Sequence, residues 1–297
     1  MIRVGNAPCS WGVLEFDGPA PATPAPRMLE EMAAAGYAGT ELGDWGFLPT
    51  DPAALSSAVS RHALTLIGAF VPVKLADPAA VAGGIATAVR VATLLAAAAG
   101  EHALLVLSDD NATVPLRASR AGRIRTEDGV SDWDGFAARA QHIAEAVHDA
   151  TRLRTVFHHH CAGYVETPQE IDALMTRTDP AVLGLCLDTG HLTYGGGDPV
   201  AALRQYGDRV WHVHAKDCDP NVAHRAREAG WDYHTALRHG IFCELGRGTV
   251  DFPAFAGELT RQCYSGWMVV EQDVLPGLGS PAASAARNRA YLRSLGI

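Results

Sequence analysis

Short apolar runs recur along the whole chain, at Arg3–Cys9, Gly39–Gly43, Leu64–Val73, His102–Asp109, Arg154–His160, Leu183–Asp188, Val210–Lys216 and Trp267–Gln272. They are rich in Val, Leu and Ile and mostly continuous rather than strictly alternating, the pattern of parallel strands covered on both faces. Between them the sequence predicts helices near Pro26–Ala35, Pro52–His62, Ala79–Ala98, Trp133–Thr151, Pro168–Thr178, Pro199–Tyr206, Phe252–Gln262 and Pro281–Leu295. Several open with Asp or Thr before Pro (TDP, ADP, ETP, GDP), a good helix N-terminal signal.

Eight strand–helix repeats over 297 residues predict an α/β fold, one (β/α)8 TIM barrel domain spanning 1–297. The runner-up, a doubly wound open sheet, wants a glycine-rich phosphate turn after its first strand, and APCSWG supplies none. Two connections are long, 110–132 after the fourth strand and 218–249 after the seventh, and both fall on the C-terminal face of such a barrel. Long loops there serve as lids, substrate contacts or subunit contacts.

Barrels carry their sites at the C-terminal ends of the strands, so only those ends need be searched for chemistry. They offer Glu41, Asp109, the triplet His158–His160, Asp188 with His191, then His212, His214 and Lys216, and finally Glu271. Any one of these alone is well explained as a hydrogen-bonded core residue. Four adjacent strand ends each bearing a carboxylate or imidazole are harder to bury, and a divalent cation is the simplest compensation. Asp188, His214, Glu271 and one ligand from the fifth strand would make a mixed nitrogen and oxygen site suited to Mn²⁺, Co²⁺, Fe²⁺ or Zn²⁺. Strand alternation places His158 and His160 on one face and His159 on the other. It also puts Lys216 in phase with His214, where it could neutralise an oxyanion.

Composition narrows the partners. A net charge of −9 without a Lys/Arg run disfavours nucleic acid and leaves room for a small polar ligand. Six cysteines without a C-x-x-C pair read as free thiols. With no apolar leader, and an apolar stretch at 91–99 too short to span a bilayer, a cytoplasmic protein without membrane contact is the default, homo-oligomer formation being left open. Trp11 and Trp45 are candidates for an apolar wall under a sugar ring. Cys9 and Cys161 read as structural thiols, the Ala-rich helix around 92–99 as core packing, and Arg117, Arg120, Arg123 and Arg125 as a solvated face.

At these residues the sequence resembles the xylose-isomerase-like metal-dependent TIM barrels, and within them the inosose dehydratases. The matching stretches are FHHHCAGYVETPQEIDALM, LDTGHLTYGGGDP, RVWHVHAKD, GRGTVDFPAF and GWMVVEQD, with weaker echoes in GTELG and APCSWG. The resemblance implies Asp188, His214 and Glu271 as metal ligands, with His158 standing where the superfamily usually has glutamate. It implies His191 as a substrate-binding histidine. The third and fourth strand ends, AFVPVK and SDDN, depart from the usual dehydratase wording.

The histidine at the fifth strand bears on the reaction. Epimerases of the superfamily place a carboxylate on each face of the reacting carbon, and a metal-bound imidazole has spent its lone pair. The expectation is therefore a metal-dependent lyase acting on a polyol ketone such as inosose, with loss of the β-hydroxyl. A sugar isomerase or epimerase is the alternative. Glu271, Glu41, His160 and His191 are the expected acid and base groups, with His191 or His160 as leaving-group acid and a carboxylate as base. Trp11, Lys216 and Asp109 are expected to touch substrate.

Overall fold

The computed structural model describes residues 2–13, 23–109, 113–275 and 277–297, so the first residues of the 110–132 connection lie outside the described set. Eight parallel strands close a barrel: β1 (Arg3–Asn6), β2 (Gly39–Glu41), β3 (Thr65–Pro72), β4 (Leu104–Ser108), β5 (Arg154–His158), β6 (Leu183–Asp188), β7 (Val210–Ala215) and, last in the chain, β10 (Trp267–Val270). Two short strands outside the barrel, β8 (Asp217–Cys218) and β9 (Phe242–Cys243), pair antiparallel and bracket the long connection after β7. The barrel order is β1-β10-β7-β6-β5-β4-β3-β2.

The TDP, GDP and ETP signals work as N-caps. Asp51, Asp198 and Thr167 each accept backbone N–H groups of the helix that the following proline opens. The apolar helix Val81–Ala99 lies in the outer ring, burying Ala88, Val91, Ala92, Leu94 and Leu95. By length and composition alone the segment Pro78–His102 would reach across a membrane.

Alternation along the strands sorts side chains into two layers. Leu105, Phe157, Leu185, Leu187 and Met268 pack outward in the large strand–helix core. Ile67, Val106, Val156, Cys186 and Val269 belong to smaller clusters on the opposite phase, inside the barrel. Two residues after Val156, Cys186 and Val269 on that same phase come His158, Asp188 and Glu271. The site is thus the next layer up from the packed barrel interior.

Among the described residues four α-helices add to the eight repeats: Pro115–Arg120, Thr189–Tyr194, Pro220–Ala229 and Tyr233–Arg238. Side chains from all four, including Ala118, Tyr194, Val222 and Tyr233, join Cys161 and Phe242 in a second hydrophobic cluster. The two long connections therefore pack on each other over the β5 and β6 ends. One expectation is corrected here. Arg117 is not on a solvated face: it is fully buried, with its guanidinium forked onto Glu170 at 2.7 and 2.9 Å and its Nε donating to Gly163 O. Its apolar neighbours could bury it because Glu170 supplies the compensating charge.

Candidate active site

His158, Asp188, His214 and Glu271 converge at the strand ends, their donor atoms within 4.8 Å of one another. His158 Nε2 lies 3.5 Å from Asp188 Oδ2, and His214 Nδ1 lies 3.4 Å from Glu271 Oε1. Local structure commits one atom of a side chain and frees the other. Asp188 caps the helix Thr189–Tyr194, its Oδ1 accepting the His191 N–H at 2.7 Å, while Oδ2 stays buried without a hydrogen bond. His214 Nε2 donates to Glu41 Oε1 at 3.0 Å, and its Nδ1 is likewise buried without a hydrogen bond.

This donor set fits a divalent ion. Ligand distances of about 2.1 Å at tetrahedral angles hold donors about 3.4 Å apart. Three buried atoms lacking hydrogen-bond partners, His158 Nδ1, Asp188 Oδ2 and His214 Nδ1, on a mixed set of two imidazoles and two carboxylates, suit a transition metal. The charges agree. Burial works against ionised Glu41, yet His214 and His212 outweigh it and hold the carboxyl down at about 2. Burial also opposes charge on His214, but Cys186, Glu271 and Glu41 around it keep the imidazolium well above the usual range. The Cys186 thiol is itself pushed up to about 12 by burial, so the carboxylates carry that effect. A cluster that gathers a proton in this way has the charge to hold a cation in its place.

Above the quartet sits a second group. His160 Nδ1 lies 2.6 Å from Cys161 O, and a carbonyl only accepts, so Nδ1 carries the hydrogen. Nε2 is left with a lone pair, which faces the Tyr233 hydroxyl at 3.4 Å. His191 has the opposite arrangement: its Nδ1 accepts the Cys161 N–H at 3.2 Å, so Nε2 carries the hydrogen. That Nε2 is 3.2 Å from Lys216 Nζ. Lys216 in turn lies 3.2 Å from Glu271 and 3.4 Å from Asp273, under the Phe242 ring. Burial opposes its charge, but Asp273, Glu271 and Asp188 prevail and keep it an ammonium. Burial, reinforced by cationic neighbours, pushes both His160 and His191 well below the usual imidazole range.

His158, His160, Lys216 and Glu271 open into a cavity of about 650 Å³, the solvent at its open mouth included, whose walls also include Phe70, Tyr233, Asp44 and Pro8. Residues 29–295 match the xylose isomerase-like TIM barrel family. The chain belongs to that family. Among its relatives is an inosose dehydratase of Geobacillus kaustophilus (strain HTA426), 32% identical over 299 residues, covering 99% of this chain and 94% of that one. The rhizopine catabolism protein MocC of Rhizobium meliloti is 33% identical over 291 residues, 96% of this chain and 85% of that one. Among solved structures, an L-ribulose 3-epimerase superposes with a TM-score of 0.69 at 18% identity, covering 99% and 94% of the two chains, a likeness of fold.

Not every residue singled out from the sequence of this family member meets the cavity. His158, His160, Lys216, Glu41 and Glu271 line it. His191 stands directly behind His160, ring centroids 3.9 Å apart. His159 turns the other way and accepts the Asp188 N–H on Nε2 at 3.2 Å. Trp11 is corrected: it packs into the strand–helix core, its Nε1 donating to Glu31, and is not a cavity wall. Asp109 is corrected too. Its carboxylate accepts the Leu75 and Tyr164 N–H groups, at 3.3 and 2.7 Å, and so ties the β5 turn to the β3 end instead of facing the cavity. Asp273 and Tyr233 were missed. Asp273 shares the phase of Glu271 two residues earlier, a signal that alternation contains. Tyr233 sits on a short helix in a long loop, where no periodicity marks it.

Proposed function

We propose that the protein is a metal-dependent dehydratase acting on an uncharged polyol ketone such as inosose. The observation that carries this is the convergence of His158, Asp188, His214 and Glu271 at the edge of one open cavity whose wall also holds the Lys216 ammonium and the His160 imidazole. The kinship with inosose dehydratases supports it. His158, Asp188, His214 and Glu271 would hold the divalent ion, Mn, Co, Zn or Fe, which supplies Lewis-acid polarisation of the ketone oxygen.

The chain's own groups divide the remaining work. His160 takes the base role, because it lines the cavity and keeps its lone pair on Nε2, beside the Tyr233 hydroxyl of the same wall, while its N–H is held by Cys161 O. It accepts the proton α to the ketone. Lys216, on the cavity wall, binds the oxygen that departs, and His191 Nε2 stands behind it, 3.2 Å from its Nζ. Lys216, the charged member, delivers the proton that lets it leave as water. Compared with the expectation from sequence, His160 moves from acid to base and Lys216 joins as acid. Glu41, gripped by His212 at 2.8 Å and His214 at 3.0 Å, becomes the residue that aims His214.

The test is incubation of metal-loaded protein with inosose and with a panel of ketoses, followed by mass analysis of products. Loss of 18 mass units, one water, is expected from inosose. An isobaric product would transfer the reading to an isomerase or epimerase, and full turnover after metal removal would overturn the metal's part.

A further inference from the structure

One residue fixes the state of both imidazoles. Cys161 turns its carbonyl to His160 Nδ1 and its N–H to His191 Nδ1, so of the two rings, 3.9 Å apart, His160 keeps a lone pair on Nε2 and His191 an N–H on Nε2. That peptide geometry depends on the next residue. Ala162 holds a left-handed φ of +68°, which a residue with a Cβ adopts only when its surroundings require it. The requirement is visible. Glu166, 1% exposed, accepts the Ala162 N–H on Oε2 at 2.7 Å and the Gly122 N–H, from the loop after β4, on Oε1 at 2.7 Å.

We propose that Glu166 is a positioning residue for catalysis: by clamping the Ala162 turn to the neighbouring loop, it sets His160 and His191 in opposite tautomers and thereby creates the base and the donor. The assignment of catalytic labour rests on the dehydratase reading above, whereas the tautomers themselves do not. Glu166 touches neither imidazole. Its effect passes through two N–H bonds and one backbone conformation.

The experiment uses the full chain loaded with diamagnetic zinc and labelled with ¹⁵N-histidine, whose ring signals report which nitrogen is protonated. The wild-type protein should show His160 protonated at Nδ1 and His191 at Nε2. In E166Q one of the two clamping N–H groups faces an amide NH₂, so both ring signals should move towards tautomer mixtures. Dehydration kcat should fall on the order of tenfold to a hundredfold, as for a misplaced acid–base group. KM and metal content should stay near wild type.

Glycine occupies the left-handed region freely, so the double variant E166Q/A162G should regain several-fold of the lost kcat and part of the tautomer purity. A residue needed only for folding would give no such rescue. E166Q with wild-type ring signals and kcat overturns the proposal, as does a double variant no better than E166Q. Should E166Q not fold, E166D, whose shorter carboxylate spans only one of the two N–H groups, replaces it, and wild-type ring signals there overturn the proposal equally. If inosose loses no water at all, the ring signals decide this inference alone, and it is the dehydratase reading that falls.

Discussion

Glu41 and Gly190 show how single residues away from the reacting atoms govern the site. Glu41 gathers the Nε2–H groups of both His212 and His214 on one oxygen and leaves His214 Nδ1 aimed at Glu271. Glu41→Gln removes the charge and offers an NH₂ in place of one acceptor oxygen. Metal affinity should then fall about 10- to 100-fold, measured by competition with a chelator. Unchanged affinity would assign Glu41 back to direct acid–base work. Gly190, in the D-T-G-H turn, serves a different need. A Cβ there would stand 2.7 Å from Lys216 Cγ and 3.0 Å from its carbonyl carbon, so the helix after β6 can approach β7 only without one. Gly190→Ala should displace Lys216 and lower kcat/KM on the order of 10²-fold, while bound metal stays stoichiometric. Equal loss of metal and activity would show instead that the whole strand end had moved.

At the scale of elements, the buried Arg117–Glu170 pair binds the helix Pro115–Arg120 to the helix Pro168–Met175, and Glu170 also accepts the Glu166 and Thr167 N–H groups. Arg117→Met leaves a carboxylate buried without its counter-charge. It should cost about 3–5 kcal/mol in urea unfolding, and the loop after β4 should become the first region cut by protease. Sequence alone misplaced this arginine, because a run of arginines in a loop looks solvated until its partner, fifty-three positions on, is known. The barrel itself was legible: each of the eight apolar runs became a strand, since burial on both faces of a parallel sheet writes itself into composition. That Asp188, His214 and Glu271 gather with a histidine of the fifth strand was legible from the strand ends, whereas alternation left His158 and His160 on one face and only the family resemblance singled out His158. What the sequence could not convey was the cap. The helices Pro220–Ala229 and Tyr233–Arg238 pack on the loop after β4 through non-local contacts, and Tyr233 reaches His160 only through that packing. Trp11 and Asp109 failed for a related reason. Nearness to a strand end does not say whether a side chain is already committed to Glu31 or to backbone N–H groups.

For the whole molecule, the buried carboxyl of Glu166 links stability to pH. Burial is the largest influence and, despite the Ala162 and Gly122 N–H bonds, pushes the group up to about 7 from an ordinary 4.5. Below pH 4.5 the carboxyl is protonated whether the chain is folded or not, and its contribution is fully present. Between 4.5 and about 7 the unfolded chain ionises while the folded one resists, so the folded state loses stability as pH rises through that window. Above it the loss is complete, about 3 kcal/mol for this gap. Buried histidines pull the other way. His159, held down at about 3 by burial, loses stability as pH falls below its unfolded value near 6.5. The two slopes overlap, so a single stability curve would not separate them. The difference between the protein and Glu166→Gln does, since the histidines cancel. Measured by urea midpoint at fixed metal concentration from pH 4.5 to 8, wild type minus variant should decline by about 3 kcal/mol, with most of the change below pH 7. A flat difference would mean that the two N–H bonds compensate burial in full and that Glu166 stays ionised throughout. A rising one would reverse the sign, with the clamp itself drawing its strength from the charge.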